Sequence, residues 1–377
     1  MDKIAKGIGI LLVLFLLFYC SSDDTTSPNP DPDPNPTDAT TTIISTLSVP
    51  WEIVWGPDNF LWVTERGGRI SRVNPDTGEQ QELLTVSEVE QVQESGLLGM
   101  VLHPNFDNNP FVYVVYTYQG TSGLLERLVR FTYANNTLSD QITLLEDIPA
   151  NSVHNGSRLL ITSDLHLLMT TGDAGNTNLS QNLNSLAGKV LRINLDGSIP
   201  SDNPITGSYV YSFGHRNPQG MVIHPNGNIY SSEHGPSNDD EINQIVAGSN
   251  YGWPNVMGVI DTPNEEAFAA GTNVTESIFN WTPTIAPSDL VYYSGNGIPE
   301  WTNKFLMTVL KDQKIIALTL SDDGSTITQE ESFFTDDFGR LRDIAISPGG
   351  RIFIATNGNS YGDTSNTHQI IEINRIP

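Results

Sequence analysis

One plan of short apolar strands separated by tight turns recurs six times between residues 51 and 376, and no other feature restricts the fold as strongly. The stretch WEIVWGPDNFLWVTERGGRISRVNPDTG, residues 51–78, sets the pattern: an apolar strand, a PDN turn, a second strand, a GG turn, a third strand and a closing DTG. GLLGMVLHPNFDNNPFVYVVYTY leading to LVRFTYANNTL repeats it, as do HNGSRLLITSDLHLLMTTGD leading to GKVLRINLDGS and NPQGMVIHPNGNIYSSEHG leading to DEINQI. The last two copies are NKFLMTVLKDQKIIALTLSDDGS, and RLRDIAISPGGRIFIATNGN leading to HQIIEINRI. Each copy has turns for four strands, so the expected fold is all-β, a six-bladed β-propeller of four-stranded antiparallel blades. A pair of β-sandwiches would not repeat the same turn at the same place. The 32 Gly and 23 Pro supply a turn between nearly every pair of strands. Residues from about 42 to 48 are expected to add a strand that closes the ring against the last blade.

Two segments precede the repeats. Residues 1–19 carry Lys3 and Lys6 ahead of an apolar run from Ile8 to Phe18, too short to span a bilayer and of the length of an export-signal core. Cys20, the sole cysteine, stands where a bacterial lipoprotein is cleaved and acylated; the bulky Tyr19 before it suits an ordinary secretory signal instead. Residues 20–42 read as a Pro- and Asp-rich tether without core-forming side chains, and residues 43–377 as the propeller. The protein is therefore expected to be exported, to meet the membrane only through a lipid anchor, and to rely on no disulfide. Its 18 Lys+Arg against 44 Asp+Glu give a net charge of −26, with no basic cluster. That excludes nucleic acid as a partner, which needs counterion release by a basic surface. It also makes any basic residue inside a pocket notable.

In a propeller, the loops and strand ends at one end of the central channel converge on a rigid frame, so chemistry should fall there. His154 opens one blade, Arg216 and Asn217 the next, and Arg340 and Arg342 another. Asp173 lies nineteen residues after His154, one strand hairpin later, and such an excursion returns the chain to the same end. The carboxylate can then orient the imidazole as a proton acceptor; equally, His154 can be a turn-packing residue, as His103 and His224 in their HPN turns are expected to be. Four cations at blade starts, Arg216, Lys311, Arg340 and Arg342, suggest a planar anionic cofactor, the alternative being ion pairs with Asp343 and its neighbours. Asp239, Asp240 and Glu241 in HGPSNDDEINQIVAGSNYGWP are hard oxygen ligands of the kind calcium takes, although the spacing is not that of an EF-hand. No zinc spacing, dinucleotide-binding fingerprint or GxSxG elbow is present.

Taken in order, GLLGMVLHPNF, GKVLRINLDGSIPSDNP, GHRNPQG, SSEHGPSNDDEINQIVAGSNYGWPN, TPTIAPS and GRLRDIAISPGG resemble the soluble quinoprotein sugar dehydrogenases, the glucose/sorbosone dehydrogenase family, from about residue 47 onward. The resemblance implies a propeller holding pyrroloquinoline quinone (PQQ) and calcium, which oxidises an aldose at its anomeric carbon to the lactone and passes electrons to an acceptor the sequence does not identify. Carried over by motif, His154 is the base and Asp173 its orienting partner, while Arg216 polarises the quinone with Asn217 beside it. Lys311, Arg340 and Arg342 hold the cofactor's carboxylates and carbonyls, and Asp240 is an acidic residue near it. The carbonyls of Gly235 and Pro236 match a catalytic calcium site, and Glu241 with the Tyr251 carbonyl a second, structural one.

Three departures from the family pattern stand out. Glu94 occupies a position near the cofactor where the family often has Gln, and Val153 precedes His154 where glucose-type members have an acid. The stretch between Asn255 and Asn280 is short, which is expected to leave an open cleft bordered by Trp281. With His234 in SEHGP, this points to the broad-range aldose branch rather than to glucose itself. Two alternatives remain: a carbohydrate- or protein-binding propeller without catalysis, and a calcium-dependent lactonase. The lactonase would need carboxylates where this chain has basic residues.

Overall fold

The structure, a computed structural model, describes residues 38–377. Cys20 and the export segment lie outside that range. Six antiparallel four-stranded sheets follow one another along the chain, as the repeats predict. Five are built from consecutive strands, the innermost first, beginning with Pro50–Trp55, Leu97–Leu102, Leu159–Ile161, Pro218–Ile223 and Pro287–Tyr293. The sixth takes Leu341–Ile346, Ile352–Thr356 and His368–Ile373 from the C-terminal end and its outer strand, Thr40–Leu47, from the N-terminal end. This outer strand pairs antiparallel with His368–Ile373, from Thr40 opposite Ile373 to Leu47 opposite His368. The ring is thus closed by hydrogen bonds between the two ends of the fold. The closing strand begins at Thr40, inside the stretch that composition assigned to the tether, because TTTII has the β-branched side chains a strand favours.

Six apolar clusters cement the blades, one at each interface. Between the first two blades Trp62 and Ile70 meet Val112, Val114 and Phe131. Across the closure Leu47, Phe353 and Ile370 meet Ile53 and Val63. Each sheet buries both faces, so its middle strands are largely buried: Leu61–Glu65 and Ile352–Thr356 are buried at every residue. Among the described residues one α-helix interrupts this pattern, Pro263–Thr272, fixed by a capping box in which Thr262 and Glu265 satisfy each other's main-chain N–H groups. Among the described residues no helix is long and apolar enough to cross a membrane.

The innermost strands carry charge into the middle of the ring. Arg158 of the third blade is buried against Glu52 of the first at 2.6 Å, Asp343 of the sixth at 2.8 Å and Asp289 of the fifth at 3.3 Å. It also donates to the Gln219 carbonyl of the fourth blade at 2.7 Å. One side chain therefore ties five blades together. Asp343 faces Arg158, so it does not neutralise Arg340 or Arg342 in the way the ion-pair alternative requires.

Glu126, buried in the strand Gly123–Ala134, receives only the Ser157 hydroxyl. Burial raises its carboxyl to about 8, the Ser157 hydrogen bond acting weakly the other way. A raised carboxyl stabilises the fold while protonated, so this contribution is complete below the unfolded value near 4.5 and is lost as the pH rises through about 8. Glu126→Gln, a nearly isosteric change, should flatten the fall in unfolding midpoint between pH 5 and 8. An unchanged slope in thermal scans would show that Glu126 does not carry it.

Candidate active site

His154 sits in the loop before the third blade, and Asp173 follows that blade's second strand, so both reach the same end of the ring. The His154 Nδ1 lies 2.8 Å from the Asp173 Oδ1. Asp173 is buried, and its other oxygen accepts the Trp253 indole N–H at 2.9 Å while the Gly175 N–H donates to Oδ1 at 2.8 Å. Burial alone would raise the Asp173 carboxyl, but the hydrogen bonds and charge of His154 with those of Trp253 and Gly175 outweigh it and hold the group below its usual value. It therefore stays an anion that fixes the Nδ1–H tautomer. Nε2 is left as the acceptor, and the Arg216 Nη2 lies 3.1 Å from it.

The backbone is shaped for this contact. His154 has φ of +57°, a left-handed conformation that a side chain adopts at a cost and that marks functional loops. Its carbonyl packs so closely on Gly172 that a Cβ there would stand 1.9 Å from the His154 oxygen. The glycine in TTGD is thus required for Asp173 to come under the imidazole. His103 and His224, by contrast, accept the main-chain N–H groups of Asn105 and Asn226 within their own turns.

Beside this pair is a cavity of about 230 Å³, lined among others by Arg66, Arg340, Arg342, Lys311 and Glu94. Among the described residues, the Nε atoms of Arg66, Arg340 and Arg342 are buried and have no hydrogen-bond partner, nor have the side-chain nitrogens of Asn217 and Asn357. Burial lowers all three guanidinium groups, and Arg342, further repelled by Arg66 and Arg340, is pushed down to about 9. Buried unpartnered donors of one sign make a receptor for an anion with several acceptor groups. Arg216 also lines the neighbouring cavity; it donates to the His234 carbonyl at 3.1 Å, and the Asn217 Oδ1 holds the Gly156 N–H at 3.0 Å.

Gly235, Pro236, Glu241 and Tyr251, which motif matching divides between two calcium sites, line one small cavity of about 10 Å³. Glu233 lines it too. Burial, then repulsion by Glu233, raises the Glu241 carboxyl to about 8, so two buried carboxyls face a space fit for a cation. Among the described residues no group of three or more His, Cys, Asp or Glu is clustered to bind a metal unaided. Main-chain oxygens would have to complete the shell.

Two expected site residues have other duties. Asp240 is fully buried and braces loops: its oxygens accept the main-chain N–H groups of Gly235, Ile285 and Ala286 at 2.6–2.7 Å. Trp281 does not border an open cleft. It lies in the outer strand Phe279–Trp281, packed between the fourth and fifth blades, with its indole N–H on Glu330 at 3.0 Å. Sequence reading missed Arg66, Gln219, Asn357, Tyr361 and Trp253. Arg66 and Asn357 follow the second strands of their blades, the position that singled out Asp173.

The glucose/sorbosone dehydrogenase family model matches residues 47–364. The chain belongs to this family. It is 33% identical to quinoprotein glucose dehydrogenase B of Acinetobacter calcoaceticus over 88% of both chains. It is 30% identical to the aldose sugar dehydrogenase YliI of Escherichia coli, over 83% of this chain and 88% of that one. The PQQ-bound aldose sugar dehydrogenase of Streptomyces coelicolor superposes with a TM-score of 0.78 at 30% identity, covering 89% of this chain and 96% of that one. This member of the family is accordingly an enzyme of the quinoprotein sugar dehydrogenase type, and the non-catalytic alternative falls away.

Proposed function

We propose that this chain oxidises aldoses at the anomeric carbon to lactones, with PQQ and calcium as cofactors. The observation that carries the reading is a buried set of unpartnered guanidinium nitrogens beside a His–Asp pair. PQQ is planar and carries three carboxylates, which suits that donor set. Arg66, Lys311, Arg340 and Arg342 would hold it, with Asn217 and Asn357 supplying amide donors. The cavity beside Glu241 would hold calcium. When bound, the quinone supplies a two-electron acceptor for the hydride of the anomeric C–H, and calcium a Lewis acid.

The chain's own residues manage the proton. Asp173 keeps the His154 Nδ1 protonated, so Nε2 takes the proton of the anomeric hydroxyl as the carbonyl of the lactone forms. Arg216 stands beside the imidazole, its Nη2 3.1 Å from Nε2, and has to give up that contact for Nε2 to take the proton. The acidic exterior is no obstacle, because a neutral sugar needs no steering charge.

Purified full-length protein should reduce a dye with a panel of aldoses only when both PQQ and calcium are supplied; turnover without either overturns the reading. Calcium alone should raise the unfolding midpoint, more at pH 8 than at pH 6, because Glu241 must lose its proton to bind it. Glu241→Gln should lose that increment. The export signal and Cys20 support a lipid-anchored position at the cell envelope, checked by fatty-acid labelling of the chain and its loss in Cys20→Ser.

A further inference from the structure

Two carboxylates line the arginine-rich cavity, Glu94 and Asp363. Asp363 is turned into its own loop, where it accepts the Ser365 N–H at 2.9 Å. Glu94 is different. Its Oε2 accepts the His154 main-chain N–H at 3.1 Å and its Oε1 the Tyr361 hydroxyl at 3.3 Å, so it joins the loop of the third blade to that of the sixth. Arg66 of the first blade and Arg340 and Arg342 of the sixth all lie within its field. From the fourth blade Arg216 and His234 do the same, and Lys311 of the fifth lines the same cavity with its ammonium on the Thr284 carbonyl at 2.6 Å. Tyr361, Asp363 and the imidazole of His154 are the remaining titratable neighbours.

Glu94 is thus the internal counter-anion of the cluster that is to receive the ligand's carboxylates. A ligand with three carboxylates brings like charge against Glu94 in a site that water screens poorly, and the repulsion disappears if the glutamate is neutral. We infer that loading this cavity with its polyanionic cofactor is coupled to the uptake of one proton by Glu94. The inference rests on the assignment of PQQ to the cavity. It makes Glu94 the residue that ties cofactor affinity to pH: binding weakens as pH rises, by about tenfold per unit where a full proton is taken up.

The test is calorimetric titration of the cofactor-free full chain with PQQ at saturating calcium, near pH 7, in buffers of different ionisation enthalpy, which counts protons directly. Wild type should take up about one proton more than Glu94→Gln, and the variant's affinity should depend less on pH by about one logarithmic unit per pH unit. His234 and Arg342 can also gain protons on meeting an anion, but both survive in the variant. The difference between the two proteins therefore belongs to Glu94. Equal proton counts overturn the inference, as does a wild-type count of zero whatever the variant does. Binding by wild type alone, with the variant folded by its unfolding midpoint, overturns it as well, because Glu94 would then be an anion the ligand needs. If neither protein binds PQQ, the cofactor assignment itself fails.

Discussion

Replacing His154 by alanine should lower turnover by about 10²–10⁴-fold, the usual worth of general-base catalysis, while leaving PQQ affinity nearly unchanged. The separation follows from the geometry. The imidazole touches Asp173 and Arg216, whereas the unpartnered nitrogens proposed to hold the cofactor belong to Arg66, Arg340, Arg342 and two asparagines. Alanine is a poor occupant of φ +57°, so part of any loss could come from the loop. His154→Asn meets that objection, because asparagine tolerates the left-handed region and cannot accept the proton as imidazole does. Both variants should be slow. If either kept more than about a tenth of wild-type turnover with the cofactor bound, the base would have to be sought elsewhere.

The ring and the His–Asp pair were legible in the sequence for the same reason. A strand hairpin returns the chain to the end it left, so a repeated turn plan states which residues share an end even when it says nothing of distance. His154 with Asp173, and Arg340 with Lys311, emerge from that rule. Arg66 and Asn357 obey it equally, but TERGG and TNGN read as turns, and a charged turn residue gives no sign that it is buried. Trp281 failed for the opposite reason. A short loop before an aromatic looks like an open cleft, while the strand Phe279–Trp281 pairs with Asp240–Ile242 and turns the indole into an interface between blades. Asp240 was drawn to the cofactor by its motif, and that motif gave no sign of the three loop N–H groups it also holds.

The charged centre of the ring had a signature that went unread. The innermost strands of the first, fourth, fifth and sixth blades share a register shift near their starts, and the residue after it is Glu52, Gly220, Asp289 or Asp343. Aligned by that bulge, three of four copies place an acid at one position. Each such acid, read singly, looks like the polar member of an alternating strand.

From that alignment comes the largest expected effect on stability. Among the described residues Arg158 is the single cation paired with Glu52, Asp289 and Asp343, and the structure already shows the strain of the imbalance. Burial raises Glu52 to about 8 and raises Asp343 as well, in both cases against the pull of Arg158, while the three carboxyls together overcome burial to raise Arg158 itself. Arg158→Met keeps the length of the side chain and removes the charge, leaving three acids at the axis without their cation, Asp343 and Asp289 keeping only main-chain N–H donors. Breaking a buried pair in this way typically costs about 3–5 kcal/mol, because the remaining charge stays desolvated. Glu52 and Asp343 will be raised further in the variant than in wild type, and a raised carboxyl stabilises only while protonated. The pH-dependent part of the loss should therefore appear only as the pH rises through about 8, where wild-type Glu52 ionises and that of the variant does not. Urea unfolding at several pH values measures it. A penalty independent of pH would mean that the variant suffers from lost packing over Trp51, whose ring lies 4.7 Å from the guanidinium, and that the charges at the axis do not need their cation.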